Sequence, residues 1–265
     1  MQNIGLIIIG DEILSGKRQD KHLPKAIELL QVRGLALYWA RYVGDHRDQI
    51  TAVLRDAFAS GDIVFCCGGI GATPDDHTRQ CAAAALGRPL ELHPGAELLI
   101  RERMQDVARE TGKRYEPDRP DNLHRLNMGT FPQGASLIAN PYNKIPGFSV
   151  GDVHFVPGFP VMAHPMIEAL LDTRYAALHG AMRSSERSVI VMGAIEAALT
   201  PLMEDVESRF PGVKVFSLPS VDHPTYGRHI ELGVKGSAEA TALAFEALRQ
   251  GLVAFGAELG PELVR

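Results

Sequence analysis

The chain has 265 residues, 45% hydrophobic and 22% charged, with a net charge of -5. That is the make-up of an ordinary globular protein of one or two domains. No basic tract offers electrostatic support for nucleic-acid binding, and no apolar run approaches the ~18 residues of a membrane span. The start, "MQNIGLIIIG", has no charged leader and reads as a strand, not a signal peptide. Cys66, Cys67 and Cys81 are odd in number and form no CxxC pair. A reduced, cytoplasmic setting is the expectation.

"NIGLIII" is a continuous apolar run, the pattern of a strand covered on both faces, and it ends in "GDEILSG". Leu23, Ile27 and Leu30 then repeat at helical spacing, with Gly34 as the stop. "LALYWARYV" reads as a second strand, and Ile50, Val53, Leu54, Ala57 and Phe58 as the stripe of a second helix. "DIVFCC" is a third strand, running through "GGIGATPDD" into the helix "TRQCAAAALG". A polar helix is expected from about Pro94 to Gly112, then an extended loop or short helix over residues 113–134. "ASLIAN" and "DVHFVPGFP" read as strands flanking a Pro/Gly loop, and "VMAHPMIEALLD" as a helix.

Strand and helix alternate three times from the start, which predicts right-handed crossovers and a three-layer, doubly wound α/β fold on a mostly parallel sheet. Near residue 175 the pattern changes. A β-α-β-β-α order follows and predicts a small α+β domain, so the expected division is 1–174 and 175–265.

Ligands of doubly wound sheets bind at the carboxyl ends of the strands. Here Asp11 and Glu12, Asp45, and the turn Gly68–Asp76 all follow strands and fall on one rim. "GDEILSGKR" fails as a P-loop in spacing and in its last residue, and "GGIGAT" lacks the third glycine of a dinucleotide fingerprint. Backbone N–H groups of such a turn can still wrap an anion, helped by the start of the next helix. The aspartates at 75 and 76 oppose that. Either one alone reads as the N-cap of the helix from Thr78. With Asp11, Glu12 and Asp45 on the same rim, the acids repel one another and raise each other's pKa, or recruit a hard cation. The expected ligand is therefore a di- or polyphosphate carrying Mg²⁺ or another divalent cation such as Mn²⁺ or Co²⁺, plausibly with a nucleoside or pterin attached.

The blocks "IGDEILSGKRQDKH", "VGDHRDQI", "CCGGIGATPDDHTRQCAAAALGRPLEL", "NPYNKIPGFSV" and "FVPGFPVMAHPM" occur in this order over roughly residues 1–170. They resemble the molybdopterin-binding domain of molybdenum cofactor biosynthesis proteins, and more closely the N-terminal region of the competence/damage-inducible (CinA-like) family. The resemblance implies a ligand joined through a pyrophosphate: molybdopterin or its adenylylated form in one branch, ADP-ribose cleaved by a metal-dependent pyrophosphatase in the other. It places Asp11, Glu12, Gly68, Gly69, Gly71, Thr73 and Thr78 at the ligand. It adds Asn140, Lys144 and Gly147 of "NPYNKIPG" and Pro157 and Gly158 of "PGFP". Asp75 and Asp76 become the catalytic pair, with Asp45 and Asp76 as metal ligands. Two departures stand out: Ala72 where the family usually has Pro, and Asn143-Lys144 where it has Gly-Thr. Lys144 could supply a cation to the phosphates or block the ligand. A homo-oligomer accords with the family. The amidase domain often found in CinA proteins is not expected here, nor is nicotinamide mononucleotide deamidation.

Other residues carry weaker signals. The ten histidines form no HxH or HxxxH pair, which speaks against zinc. His77 is a candidate proton shuttle or an exposed residue of a first helical turn. Ser15 lacks a triad pattern, and Cys66 and Cys67 read as core packing. Lys113, Arg119 and Arg125 belong to a loop that could close over phosphates or simply be solvated. The rival to an enzyme is a binding module that holds molybdopterin or a nucleotide without turnover. A third reading makes the C-terminal domain an oligomerisation or docking platform.

Overall fold

A computed structural model describes residues 2–180 and 185–265. The chain divides into two compact units, Met1–His179 and Gly180–Arg265.

The first unit is built on a six-stranded sheet ordered β2-β1-β3-β8-β7-β6. β1 (Ile4–Ile9), β2 (Trp39–Val43), β3 (Ile63–Cys67) and β8 (Val153–Val156) run parallel. β7 (Gly147–Val150) and β6 (Ser136–Ile138) add an antiparallel edge. The sheet is a mostly parallel α/β sheet, as the alternation of strands and helices predicts. β1 and β3 are apolar at every position because both faces are covered. On one face Leu6, Ile8, Phe65 and Cys67 pack against α2 (His22–Gln31) and α7 (Pro160–Thr173). On the other, Ile7, Ile9, Val64 and Cys66 pack against α3 (Arg47–Ser60) and α4 (Thr78–Leu86). Side-chain alternation along a strand is what splits one apolar run between two cores.

Several elements differ from the sequence reading. The stripe of α2 is Ala26, Leu29 and Leu30, and Ile27 is 37% exposed. The second strand starts only at Trp39. β7, inside the expected Pro/Gly loop, pairs with both neighbours. α5 (Pro94–Glu110) lies as expected, but the segment after it holds α6 (Pro120–Arg125), a 3-10 turn over Leu126–Gly129 and β5 (Thr130–Pro132). β5 pairs with β4 (Leu90–Leu92) in a small ribbon. A four-residue helix, α1 (Asp11–Leu14), follows β1.

Behind the β7–β8 hairpin, the buried Ser149 hydroxyl donates to His154 Nδ1 at 2.7 Å. His154 Nε2 donates to the Tyr175 hydroxyl at 2.6 Å, which donates to Asp152 at 2.8 Å. The acceptor-only carboxylate at the end fixes this direction. Burial pushes the His154 imidazole down to about 3, so it is neutral. The relay ties Tyr175, just after α7, into the first unit.

The second unit is a four-stranded antiparallel sheet ordered β10-β11-β9-β12. β9 (Ser185–Met192), α8 (Glu196–Arg209), β10 (Lys214–His223), β11 (Gly227–Gly236) and α9 (Ala238–Phe255) follow the expected order, and β12 (Glu258–Val264) adds an edge strand. Val189, Val191, Leu232 and Val234 pack against Leu199 and Val206 of α8 and Phe245 and Leu248 of α9. Among the described residues, no helix is long and apolar enough to cross a membrane.

Candidate functional site

β1 lies between β2 and β3, and the chain leaves β1 and β3 toward opposite faces of the sheet, into α2 and α4 respectively. Such a divergence opens a crevice at the carboxyl ends of the two strands. The glycine turn fills one side of it. Gly68 and Gly69 have φ of 108° and 67°. A Cβ on Gly68 would meet the Ile9 carbonyl oxygen at 2.3 Å, and one on Gly69 would meet the Thr78 hydroxyl at 2.1 Å. Both positions require glycine, for conformation and for space.

The turn is held from below. Thr78 is fully buried, and its hydroxyl donates to the Gly68 carbonyl at 3.0 Å. Arg79, 4% exposed, donates to the carbonyls of Gly71 and Asn127, both at 2.6 Å. Burial pushes its guanidinium down to about 10, against the pull of Asp76. His124 of α6 reaches the Ala72 carbonyl at 3.1 Å. The segment after α5 thus packs against the glycine turn, which nothing in its Pro- and Asn-rich sequence announces.

The acids ring the mouth. Asp11 and Asp45 are linked reciprocally: the Asp11 N–H donates to Asp45 Oδ2 at 2.9 Å, and the Asp45 N–H to Asp11 Oδ1 at 3.1 Å. Burial raises the Asp45 carboxyl above its ordinary range. The Asp11 N–H opposes this, and the charges of Asp11, Glu12 and Asp75 add to it. Asp75 is exposed, and its carboxyl is held below the ordinary range by Thr73 and its own backbone N–H, although the Thr73 hydroxyl's one proton is directed to Asp76.

On the α2 side of the crevice lies a cavity of about 290 Å³. Ile8, Ile9, Ile13, Cys67 and Pro160 give it apolar walls, and Glu12, Arg18, Gln19, Lys21 and His22 its polar groups.

A sequence model described as "Probable molybdopterin binding domain" matches residues 5–179. The chain belongs to the molybdopterin-binding domain family. A CinA-like protein of Anaeromyxobacter dehalogenans is 35% identical over 162 residues, 60% of this chain and 37% of that protein. A second CinA-like protein, from Anaeromyxobacter sp. (strain K), is 30% identical over 211 residues, 76% of this chain and 49% of its own length. The chain therefore spans less than half of these curated relatives. A protein of Pyrobaculum calidifontis is 30% identical over 256 residues, 92% of each chain. The crystal structure of CinA from Thermoplasma acidophilum superposes with a TM-score of 0.54 at 26% identity, covering 64% of this chain and 98% of that one.

In this molybdopterin-binding domain, Asp11, Glu12, Asp45, Asp75 and the glycine turn come together at the crevice. Gly158 closes on the turn, since a Cβ there would lie 3.3 Å from the Gly68 Cα. Pro157 precedes it in the loop after β8. One expectation is corrected, and the bonds of the other residues are as follows. Neither Asp75 nor Asp76 caps α4: the position before the helix is His77, and no side chain caps it. Asp76 Oδ2 instead accepts the Thr73 N–H at 2.9 Å and the Thr73 hydroxyl at 2.5 Å, which shapes the turn and occupies that oxygen. Thr78 and Thr73 both serve the turn's internal bonding. Lys144, in left-handed conformation at φ 65°, places its ammonium 2.7 Å from Asp106 and 3.6 Å from Glu102, both on α5.

Asn140 is buried. Its amide donates to Asn143 and the Ile145 carbonyl, and its Oδ1 accepts the Tyr142 N–H, so it organises the 140–145 turn. A Cβ on Gly147 would meet the Phe155 carbonyl at 2.3 Å, so this glycine allows β7 and β8 to approach. Arg119 pairs with Asp121, and Arg125 lies 4.0 Å from the same acid. Cys66, Cys67 and Cys81 are buried free thiols, and burial raises all three.

Proposed function

We propose that the domain binds a pterin or nucleotide through a pyrophosphate and hydrolyses that linkage, with a divalent cation arriving on the substrate. The observation that carries this reading is the raised Asp45 carboxyl amid Asp11, Glu12 and Asp75, facing a glycine turn. A bare anion is repelled by such a cluster, whereas an anion that brings a hard cation is not. Among the described residues, no group of three or more His, Cys, Asp or Glu side chains could hold a metal ion alone. A resident metal centre is therefore unsupported. Mg²⁺, which takes one or two protein carboxylates and fills its shell with water and phosphate oxygens, fits the site as part of the substrate. Such a cation neutralises charge on the phosphates.

Asp45 and Asp75 divide the acid-base work, because their surroundings push their pKa values apart. Asp45, which holds a proton more readily, is the better base for an attacking water. In that step a water oxygen bonds to one phosphorus, its proton passes to Asp45, and the bridging P–O bond breaks with its electron pair on the bridging oxygen, which leaves as part of the second phosphate. Asp75 stays ionised and faces the cation. Adenylylated molybdopterin and ADP-ribose both carry this linkage. The second reading is a binding module without turnover, since the same glycine turn would hold the phosphates of a ligand that is never cleaved.

Product mapping separates the two. ADP-ribose, other dinucleotide pyrophosphates and adenylylated molybdopterin would be offered with Mg²⁺, Mn²⁺ or Co²⁺. Metal-dependent cleavage by the wild type, lost in Asp45→Asn and Asp75→Asn, is the expected result. No cleavage, with stabilisation by ligand that vanishes in Gly68→Ala, would leave the binding module.

A further inference from the structure

Two ring nitrogens inside the first unit lack partners, and they belong to neighbouring rings. His22, the first residue of α2, is 5% exposed. His164 of α7 packs edge-on against it, with ring centroids 5.3 Å apart and planes at 88°. His22 Nδ1 and His164 Nε2 are both buried, and neither has a hydrogen-bond partner among the described residues. Buried polar atoms are normally satisfied. Two such exceptions on touching rings call for one explanation, a guest that serves both.

The His22 ring is already held as a metal ligand is held. Its Nε2 lies 3.0 Å from the Gly158 carbonyl oxygen. A carbonyl oxygen only accepts, so Nε2 carries the proton and Nδ1 keeps a free lone pair. Ligating histidines donate their other ring N–H to a carbonyl or carboxylate in this manner, which fixes the tautomer and the ring orientation. Asp20 anchors the same residue by its backbone, accepting the N–H groups of His22 and Leu23 at 2.7 and 3.1 Å. Burial lowers the His164 imidazole, helped by His22 and Lys25 and opposed by Asp20 and Glu28. Metals take the neutral imidazole. Lys25 is paired with Glu28 at 2.5 Å, so its charge is partly answered. Imidazole nitrogens lie about 2.0–2.1 Å from Zn²⁺, and two rings at a tetrahedral angle then have centroids about 5 Å apart. The observed spacing of the pair is 5.3 Å.

We propose that His22 Nδ1 and His164 Nε2 together bind a divalent transition cation of the Zn²⁺ class, with water completing its shell. Imidazole suits Zn²⁺, Ni²⁺ and Cu²⁺, whereas Mg²⁺ takes oxygen ligands. Two protein ligands are fewer than a structural zinc centre has, so the ion exchanges with solution. The site is separate from any Mg²⁺ that arrives with a substrate and does not depend on the hydrolytic reading. It joins α2 to α7 and, through Gly158, to the loop that closes on the glycine turn. The two histidines lie far apart in the chain, so no spacing motif announces them.

The test is Zn²⁺ titration of the wild type, His22→Phe, His164→Phe and His164→Gln. It is followed by thermal unfolding read from Trp39, the single tryptophan, which lies on β2 of the first unit. Zn²⁺ should raise the wild-type midpoint with saturation at one ion per chain, and excess Mg²⁺ should not displace it. Each variant should bind Zn²⁺ about tenfold or more weakly. Wild-type affinity should fall as pH drops through about 6.5, where imidazoles take up protons. In side-chain NMR spectra of the wild type, Zn²⁺ should move one Nδ1 and one Nε2 resonance on two different histidines. That reading decides even if a variant fails to fold. No Zn²⁺-dependent shift of the midpoint, an unchanged affinity in both His164 variants, or ring nitrogens that do not respond would each overturn the inference, leaving a gap that holds only water.

Discussion

Gly68→Ala tests whether the glycine turn exists because two strands and a loop converge on one Cα. Gly68 has φ 108°, which for alanine costs about 1–3 kcal/mol of backbone strain. The added Cβ would sit 2.3 Å from the Ile9 carbonyl oxygen, a backbone atom of a central strand. Retreat is limited, because Gly158 also packs close to the Gly68 Cα. Forcing such an overlap adds about 1–3 kcal/mol. The combined loss is roughly 4 kcal/mol. Gly87 is the control. It also has positive φ, 63°, but a Cβ there meets nothing within 4 Å. Gly87→Ala should lose only about 1 kcal/mol. The chain has one tryptophan, Trp39 on β2, whose Nε1 donates to Asp62 at 2.9 Å, so its fluorescence reports the first unit alone. In thermal unfolding followed by Trp39, the 3 kcal/mol difference should separate the variants by about 6–12 °C. Midpoints within about 2 °C of each other would refute the argument, because strain alone would then explain both.

Other perturbations follow from the same geometry. Asp45→Asn keeps an acceptor for the Asp11 N–H and removes a charge the folded state disfavours, so it should stabilise the first unit at neutral pH. Because the folded Asp45 value lies above the unfolded one, wild-type stability relative to this variant should recover as pH falls through the folded value toward 3.8. A wild type that stays equally far below Asp45→Asn at both ends of that window would exclude the burial argument. His154 runs the other way. Its folded value of about 3 lies below the ordinary 6.5, so stability present above pH 6.5 is lost as pH falls toward 3, by up to roughly 5 kcal/mol at about 1.4 kcal/mol per pH unit. His154→Phe should flatten that acid limb in Trp39-monitored urea titrations, while costing about 1–3 kcal/mol at pH 7 for the broken relay. Lys144→Gly should relieve about 1 kcal/mol of left-handed strain and lose only a solvent-screened ion pair, so stability should not fall. Ligand affinity should stay the same, and a tenfold loss would return Lys144 to the ligand.

The sequence makes the layered sheet legible because a doubly covered strand cannot hide its pattern. "NIGLIII" and "DIVFCC" are apolar throughout, and the acids that follow each strand fall on one rim by topology alone. What it hides is where side chains turn. Asp76 looks like a helix cap from its position, yet Thr73 offers it two donors three residues back, and a local bond of that kind wins over the helix end. Lys144 reads as a cation for the phosphates or a block to the ligand, and nothing in its own segment announces the pair it makes with Asp106 of α5. Arg79 shows no signal at all, since a lone arginine after "DDHT" reads as solvated surface. Its burial depends on carbonyls at Gly71 and Asn127 that only the folded chain places together. β7 is missed because it has four residues and begins at a glycine, which reads as a loop until Phe155 comes beside it.

The two sides of the crevice differ in a way that bears on how a ligand would be held. The glycine turn is rigid by construction: Thr78 and Arg79 bind its carbonyls from beneath, so its shape does not wait for a ligand. The α2 side has the opposite character. Arg18, Lys21 and Glu12 line its cavity without ion pairs among the described residues. A preformed cradle fixes position, while uncommitted polar groups choose among ligands by what they leave unpaired. Substitutions beneath the turn should therefore weaken all ligands alike. Substitutions of the unpaired Arg18, Lys21 or Glu12 should change the ranking among ligands and leave the unfolding of the first unit nearly untouched.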